Sequence, residues 1–165
     1  MNTVPSDFLE GATQGGLIWV RVTGRGNFKL GPTLKAFVVS AIQRGYRRLR
    51  VDLEGCTALD STFMGVLAGL ALHLKPLNGS VQLLRLSAQN RNALTTLGLQ
   101  ALLAMPTADV PSTPTLQRLD PTPDLAASAA SILAAHANLI AAAPENRPRF
   151  SELVTQLKDE IEHPH

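Results

Sequence analysis

Apolar and polar positions along the chain fall into blocks that predict strands separated by helices. Residues 17–22 are mostly apolar and β-branched and lead into a glycine turn, as a strand does. After Pro32, apolar side chains over 34–42 recur at helical spacing, and Gly45 lies where that helix is expected to end. Residues 49–53 alternate apolar with charged side chains, which predicts a half-buried strand.

The same order then continues. A loop over 54–59 leads to a strongly apolar helix over 63–74, a third strand over 81–86 and a short helix over 92–97. Residues 99–105 fit either a strand or a helix. Strands joined through helices of this length lie parallel, with right-handed crossovers. The pattern predicts an α/β sandwich with a mixed, largely parallel sheet of four to five strands.

The segments flanking this domain differ from it in composition. We expect an N-terminal extension over 1–13, the α/β domain over 14–108, a proline-rich linker or strap over 109–123 and a helical hairpin over 124–165. The hairpin carries two narrow apolar stripes. These stripes either pack across the domain and restrict access to Ser61, or pair with a second copy in a four-helix arrangement.

Composition excludes several classes of protein. With 45% apolar and 17% charged residues, the chain is too apolar to be disordered. Its net charge of +2 does not indicate nucleic-acid binding, and its longest strongly apolar run, Phe63–Leu72, is half of a membrane span. The single cysteine excludes a disulfide framework, and no export signal is visible at the N-terminus. A cytoplasmic protein without membrane insertion is expected.

Catalytic and metal sites find little support. Cys56 lies in a predicted loop, but a phosphatase loop requires Arg six residues later, where this chain has Thr62. Asp52 and Glu54 share one strand face without a further ligand nearby, which is typical of a solvated strand edge. No histidine has a spacing that marks it as a general base: His73, His136, His163, His165. We therefore expect neither an enzyme nor a bound metal or cofactor.

The remaining candidate is the tripeptide Asp60-Ser61-Thr62, directly before the most apolar helix. One interpretation is a helix N-cap, in which a side-chain oxygen accepts hydrogen bonds from free backbone N–H groups. Its place after a strand suggests a function as well, because α/β folds present their sites at the carboxyl edge of the sheet. A phosphate added there would be stabilised by the helix dipole. Capping and phosphorylation are compatible roles.

The order of elements and the segment VDLEGCTALDSTFMGVL over 51–67 resemble the STAS domain, a family that includes the anti-sigma factor antagonists of bacterial partner-switching systems. The family pattern has an apolar strand, a loop, Asp-Ser-Ser/Thr, apolar residues, a glycine and an apolar helix. The resemblance covers roughly residues 14–108. It implies a phosphoprotein in signal transduction and transcription regulation.

By this resemblance, Ser61 is the phosphoacceptor and Asp60 and Thr62 shape its site. The implied partners are a serine kinase that acts as an anti-sigma factor, bound while Ser61 is unphosphorylated, and a phosphatase. The expected partner-binding residues depart in part from the family, with an amide in place of an acid and bulk in place of a glycine: Asn27, Phe63, Met64, Gly65. The alternative is a STAS scaffold or small-ligand sensor that works without phosphorylation.

Overall fold

The computed structural model describes residues 7–121 and 128–164. The predicted boundary between strap and hairpin, and residues 1–6 of the N-terminal extension, lie outside the described residues. Within them, the strands are β1 Phe8–Gln14, β2 Leu17–Gly26, β3 Arg48–Asp52, β4 Cys56–Leu59, β5 Ser80–Leu84 and β6 Gln117–Leu119. The helices are α1 Gly31–Gln43, α2 Ser61–Leu74, α3 Ala88–Thr96, α4 Ala129–Ala142 and α5 Arg147–Glu162.

The strands form one mixed sheet in the order β5-β3-β2-β1-β6, and β4 pairs with the end of β2. Strands β2, β3 and β5 are parallel, with Val51 opposite both Val20 and Leu83. Strand β1 is antiparallel to β2 and to β6. The predicted α/β fold with a mixed, largely parallel sheet and C-terminal helices is confirmed, with six strands in place of four to five.

Three strands were not predicted: β1, β4 and β6, the last of which lies in the segment assigned to a linker or strap. Strand β1 spans residues 8–14, of which 8–13 were assigned to an extension; its inward side carries only one large apolar side chain, Leu9, so the sequence pattern was weak there. Residues 56–59, assigned to a loop, form β4, which exists through parallel pairing with Gly24–Gly26 of β2. A strand of four residues held by a distant partner leaves little local signal.

The two faces of the sheet are covered by different parts of the chain. Alternation along β2 turns Ile18 and Val20 toward the helices, where both are fully buried. Trp19 points to the opposite face and packs with Leu116 and Val110 of the proline-rich segment. Residues 109–121 therefore run along the second face and supply β6 at its edge.

The C-terminal helices form a hairpin that packs on the helical face. Helix α4 lies against α2, and α5 packs on α4. Leu139 of α4 is fully buried in the main core. At the turn between the two helices, the Asn146 side chain donates to the carbonyl oxygens of Leu97 and Leu139, both at 2.9 Å. The hairpin is thus attached to the domain of its own chain.

Candidate functional site

The start of α2 is organised by Asp60. One carboxylate oxygen accepts from the Phe63 N–H at 2.8 Å, which makes Asp60 the N-cap of the helix. The other oxygen accepts from the Phe28 N–H, also at 2.8 Å. The Asp60 N–H in turn donates to the Gly26 carbonyl at 2.9 Å. One side chain therefore both caps α2 and fixes the β2–α1 loop beside it.

The Ser61 hydroxyl takes no part in this cap and bonds to a residue of the hairpin. Its Oγ lies 3.0 Å from Nε2 of His136 on α4. The His136 Nδ1 lies 2.8 Å from the Ile132 carbonyl oxygen, which only accepts hydrogen bonds. In the neutral ring Nδ1 is therefore the donor, and Nε2 accepts the proton of Ser61. The geometry sets both the tautomer and the direction of the Ser61–His136 bond.

The surroundings of His136 hold the ring in this position. His136 is 2% exposed, and the Phe150 ring of α5 meets it edge to face, with the centroids 5.0 Å apart. A serine hydroxyl that donates to a fixed imidazole nitrogen has the arrangement of an activated nucleophile. Chemically, the site therefore presents a hydroxyl at a helix N-terminus, where an added phosphate would meet the positive end of the helix dipole.

The other predicted site residues lie close by in sequence, but most are covered. Thr62, Met64 and Gly65 are buried, and Phe63 is a fully buried core residue. Asn27 lies in the loop before α1, where its side-chain oxygen accepts from the Lys29 N–H at 3.0 Å. Ser61 itself is partly buried. A partner therefore does not reach the buried residues while α4 covers α2.

The residues weighed for catalysis or metal binding have structural partners. Burial raises the pKa of the Cys56 thiol, which donates to the Ala58 carbonyl. Asp52 is 3% exposed, so the expected solvated strand edge is wrong for this residue. Its carboxylate is bound by Arg85 and Thr113. Across residues 7–121 and 128–164, no three His, Cys, Asp or Glu side chains come together as a metal site would require.

Comparison with protein families identifies the domain. A family model described as "Mlab, STAS domain" matches residues 13–104, more than half of the chain. The chain belongs to the STAS family. No curated protein matches the sequence.

Solved structures of STAS proteins share the fold. The unphosphorylated anti-sigma factor antagonist SpoIIAA aligns with a TM-score of 0.54 at 20% identity, over 62% of this chain and 90% of that one. A putative anti-sigma factor antagonist from Thermotoga maritima, TM1081, gives 0.54 at 15% identity, over 59% and 86%. The phosphorylated form of Bacillus SpoIIAA gives 0.51 at 20% identity, over 62% and 93%.

The STAS match ends at residue 104, before the hairpin. His136, which sequence reasoning passed over, therefore contacts Ser61 from outside the STAS domain. The sequence gives one indication that His136 is buried, because the residue falls between Ile132 and Leu139 on the apolar stripe of α4. Periodicity marks such a histidine as buried, but it does not identify the group it meets. Among the described helices, none combines the length and the apolar character needed to cross a membrane.

Proposed function

We propose that this chain is a phosphorylation-controlled interaction module, an anti-sigma factor antagonist whose switch is Ser61. It binds a serine kinase of the anti-sigma type while Ser61 is unphosphorylated, and a phosphatase resets it. The observation that carries the proposal is the position of the Ser61 hydroxyl at the first residue of α2. This hydroxyl takes no part in capping the helix, because Asp60 is the cap. The likeness in fold to SpoIIAA, solved in unphosphorylated and phosphorylated forms, supports it.

The chemistry assigns the chain the role of acceptor. Ser61 Oγ attacks the γ-phosphorus of ATP held by the kinase, the hydroxyl proton passes to a base, and ADP leaves. The product carries about −1.5 to −2 charge at neutral pH. The N-terminus of α2 stabilises that charge, while the Asp60 carboxylate repels it. A partner that binds the surface around the uncharged hydroxyl is then repelled by the negative charge at position 61.

Phosphosite mass spectrometry on the protein from its own cells, with and without stress, tests the acceptor role. We expect phosphate on Ser61 with an occupancy that changes between the two conditions. Ser61→Ala should keep partner binding in a pull-down and Ser61→Asp should lose it. Ser80→Asp, at an exposed position that begins β5, controls for added charge. No phosphate under any condition, with the peptide well covered, would favour the phosphorylation-independent scaffold.

A further inference from the structure

We propose that the α4–α5 hairpin is a displaceable cover that occupies the α2 face through which Ser61 is reached. In this arrangement the His136 ring is hydrogen-bonded to the Ser61 hydroxyl, and α4 fills the groove beside it. The cover opens while the STAS domain stays folded. Its regulatory meaning rests on the function proposed above, since an occluded acceptor must be exposed before a kinase can use it. The occlusion itself does not depend on phosphorylation.

Two glycines of α2 bring the helices into backbone contact. A Cβ at Gly65 would lie 2.6 Å from the carbonyl carbon of Ala135 and closer still to its oxygen. A Cβ at Gly69 would meet the Asn138 side chain, whose Nδ2 donates to the Gly65 carbonyl at 3.3 Å. Helix α4 therefore lies in a groove that exists only because positions 65 and 69 lack side chains.

The contacts of the cover are neutral and confined to a narrow stripe. On α4 only Ala135, His136 and Leu139 are buried, and on α5 only Leu157 is. In residues 7–121 and 128–164, no ion pair joins either helix to the rest of the chain. The outer surface of α5 is largely exposed. A helical pair that is joined to the domain by neutral contacts alone can open locally without breaking an ion pair, so the hairpin is the segment expected to open as a unit.

The placement of the cover explains why Gly65, one of the expected partner residues, is buried. With α4 docked, Gly65 is sealed by the Ala135 carbonyl and the Ser61 proton is directed at His136. A kinase that approaches over α2 first displaces the hairpin. The rate at which the cover opens then limits how fast Ser61 is modified. Without a partner the hairpin is docked. A ligand or protein that binds the hairpin would change how often it opens, and so how fast Ser61 is modified.

Thiol labelling of the full chain tests the cover without a partner. A Ser61→Cys variant places a reactive reporter at the acceptor position, and native Cys56, which is 4% exposed, reports opening of the domain itself. Iodoacetamide is added, and peptide mass spectrometry follows each thiol separately. Adding Gly65→Ala forces α4 away from α2. We expect labelling at position 61 to quicken about tenfold or more, with the rate at Cys56 unchanged.

The matched control is Gly55→Ala, whose Cβ would make only ordinary contacts of 3.6 Å or more. It should leave both rates as they are. Equal labelling at position 61 with and without Gly65→Ala would overturn the cover, because the acceptor would then be reachable with α4 docked. A rate that rises equally at both thiols would also overturn it, since opening would then require unfolding of the domain.

A second measurement keeps the native serine. Hydrogen–deuterium exchange on chains with Ser61 intact should show faster exchange across α4 in Gly65→Ala than in Gly55→Ala, with the core strands unchanged. Phosphosite occupancy in cells separates the two proposals. A cover that opens in these tests, with no phosphate on Ser61 in either variant, would contradict the proposed function and leave the cover standing.

Discussion

Two edges of this molecule, each at the end of a parallel strand, are closed by segments from the C-terminal third of the chain in different ways. At the end of β3, Asp52 is bound by Arg85 and by Thr113 of the strap. After β4, Ser61 is bound by His136 of the hairpin. The first closure is a charged network, whereas the second joins neutral groups, and the other contacts of the hairpin, such as buried Leu139 and the Asn146 hydrogen bonds, are neutral as well.

The charged closure is held from several directions. Burial by itself raises the pKa of the Asp52 carboxyl, but hydrogen bonds from Arg85, Thr113 and the Glu54 amide outweigh it, and the net pKa lies below the ordinary value. Arg85 also donates to the Pro111 carbonyl at 2.7 Å and to the Thr113 hydroxyl. Opening this edge takes Thr113 and the Pro111 carbonyl away from the Asp52–Arg85 ion pair, whereas opening the other separates neutral groups that water can satisfy and exposes Leu139. We therefore expect the hairpin to open more readily than the strap.

The largest effect is expected from breaking the charged edge. Arg85→Ala leaves the Asp52 carboxylate buried without its ion pair, and should lower the free energy of unfolding by about 3 kcal/mol. Urea denaturation measures it. Arg21→Ala removes the more exposed ion pair with Glu10 and should cost less than about 1 kcal/mol. If the two variants lose similar amounts of unfolding free energy, the buried network is no more stabilising than the more exposed ion pair.

A smaller effect concerns pH and sharpens the same contrast. Because the pKa of Asp52 is lower in the folded state, its contribution to stability is complete above the unfolded value of about 4 and is lost as pH falls through the folded pKa. Between these two values the wild type should lose up to about 1.4 kcal/mol per pH unit more than Asp52→Asn. Urea denaturation between neutral and acidic pH measures the slopes.

Glu54→Gln controls for the charge change, since the Glu54 side chain is 75% exposed and its contact with Arg85 is long, at 3.7 Å. Its slope should follow that of the wild type. If Asp52→Asn and the wild type share one slope, the carboxylate does not stabilise the closed edge.

The sequence predicts elements that carry their own periodicity, and it misses those that depend on a distant partner. Helix α2 and strand β3 are visible because their apolar spacing is complete within one segment. Strand β4 is not, since it forms only beside the end of β2. The short helix predicted over 92–97 begins earlier, at Ala88, because Ser87 accepts from the Asn90 N–H and caps it. That capping signal was available in the sequence.

The same division holds at the two edges. Asp60 and Ser61 are recognisable because their motif is contiguous, and the capping role of Asp60 follows from local chemistry. His136 lies 75 residues from Ser61, and Arg85 lies 33 residues from Asp52. No spacing rule links residues so far apart in one sequence. The β3–β5 register, with Asp52 opposite Leu84, brings Arg85 beside Asp52, and the packing of the hairpin brings His136 beside Ser61. A single sequence specifies neither.

The smallest expected effect tests whether the Ser61–His136 bond has a stabilising value of its own. In a double-mutant cycle, Ser61→Ala removes the donor and His136→Ala removes the acceptor, and the urea unfolding free energies of the four proteins give the coupling. A neutral hydrogen bond should appear as about 1 kcal/mol.

Ser61→Ala combined with Asn138→Ala is the matched control. Asn138 lies in the same interface but bonds to the Gly65 carbonyl, so its coupling to Ser61 should stay below about 0.5 kcal/mol. Equal coupling in the two cycles would mean that each variant displaces the whole hairpin. The Ser61–His136 bond would then make no specific contribution to the stability. A clear difference would show that the Ser61–His136 bond itself stabilises the docked hairpin.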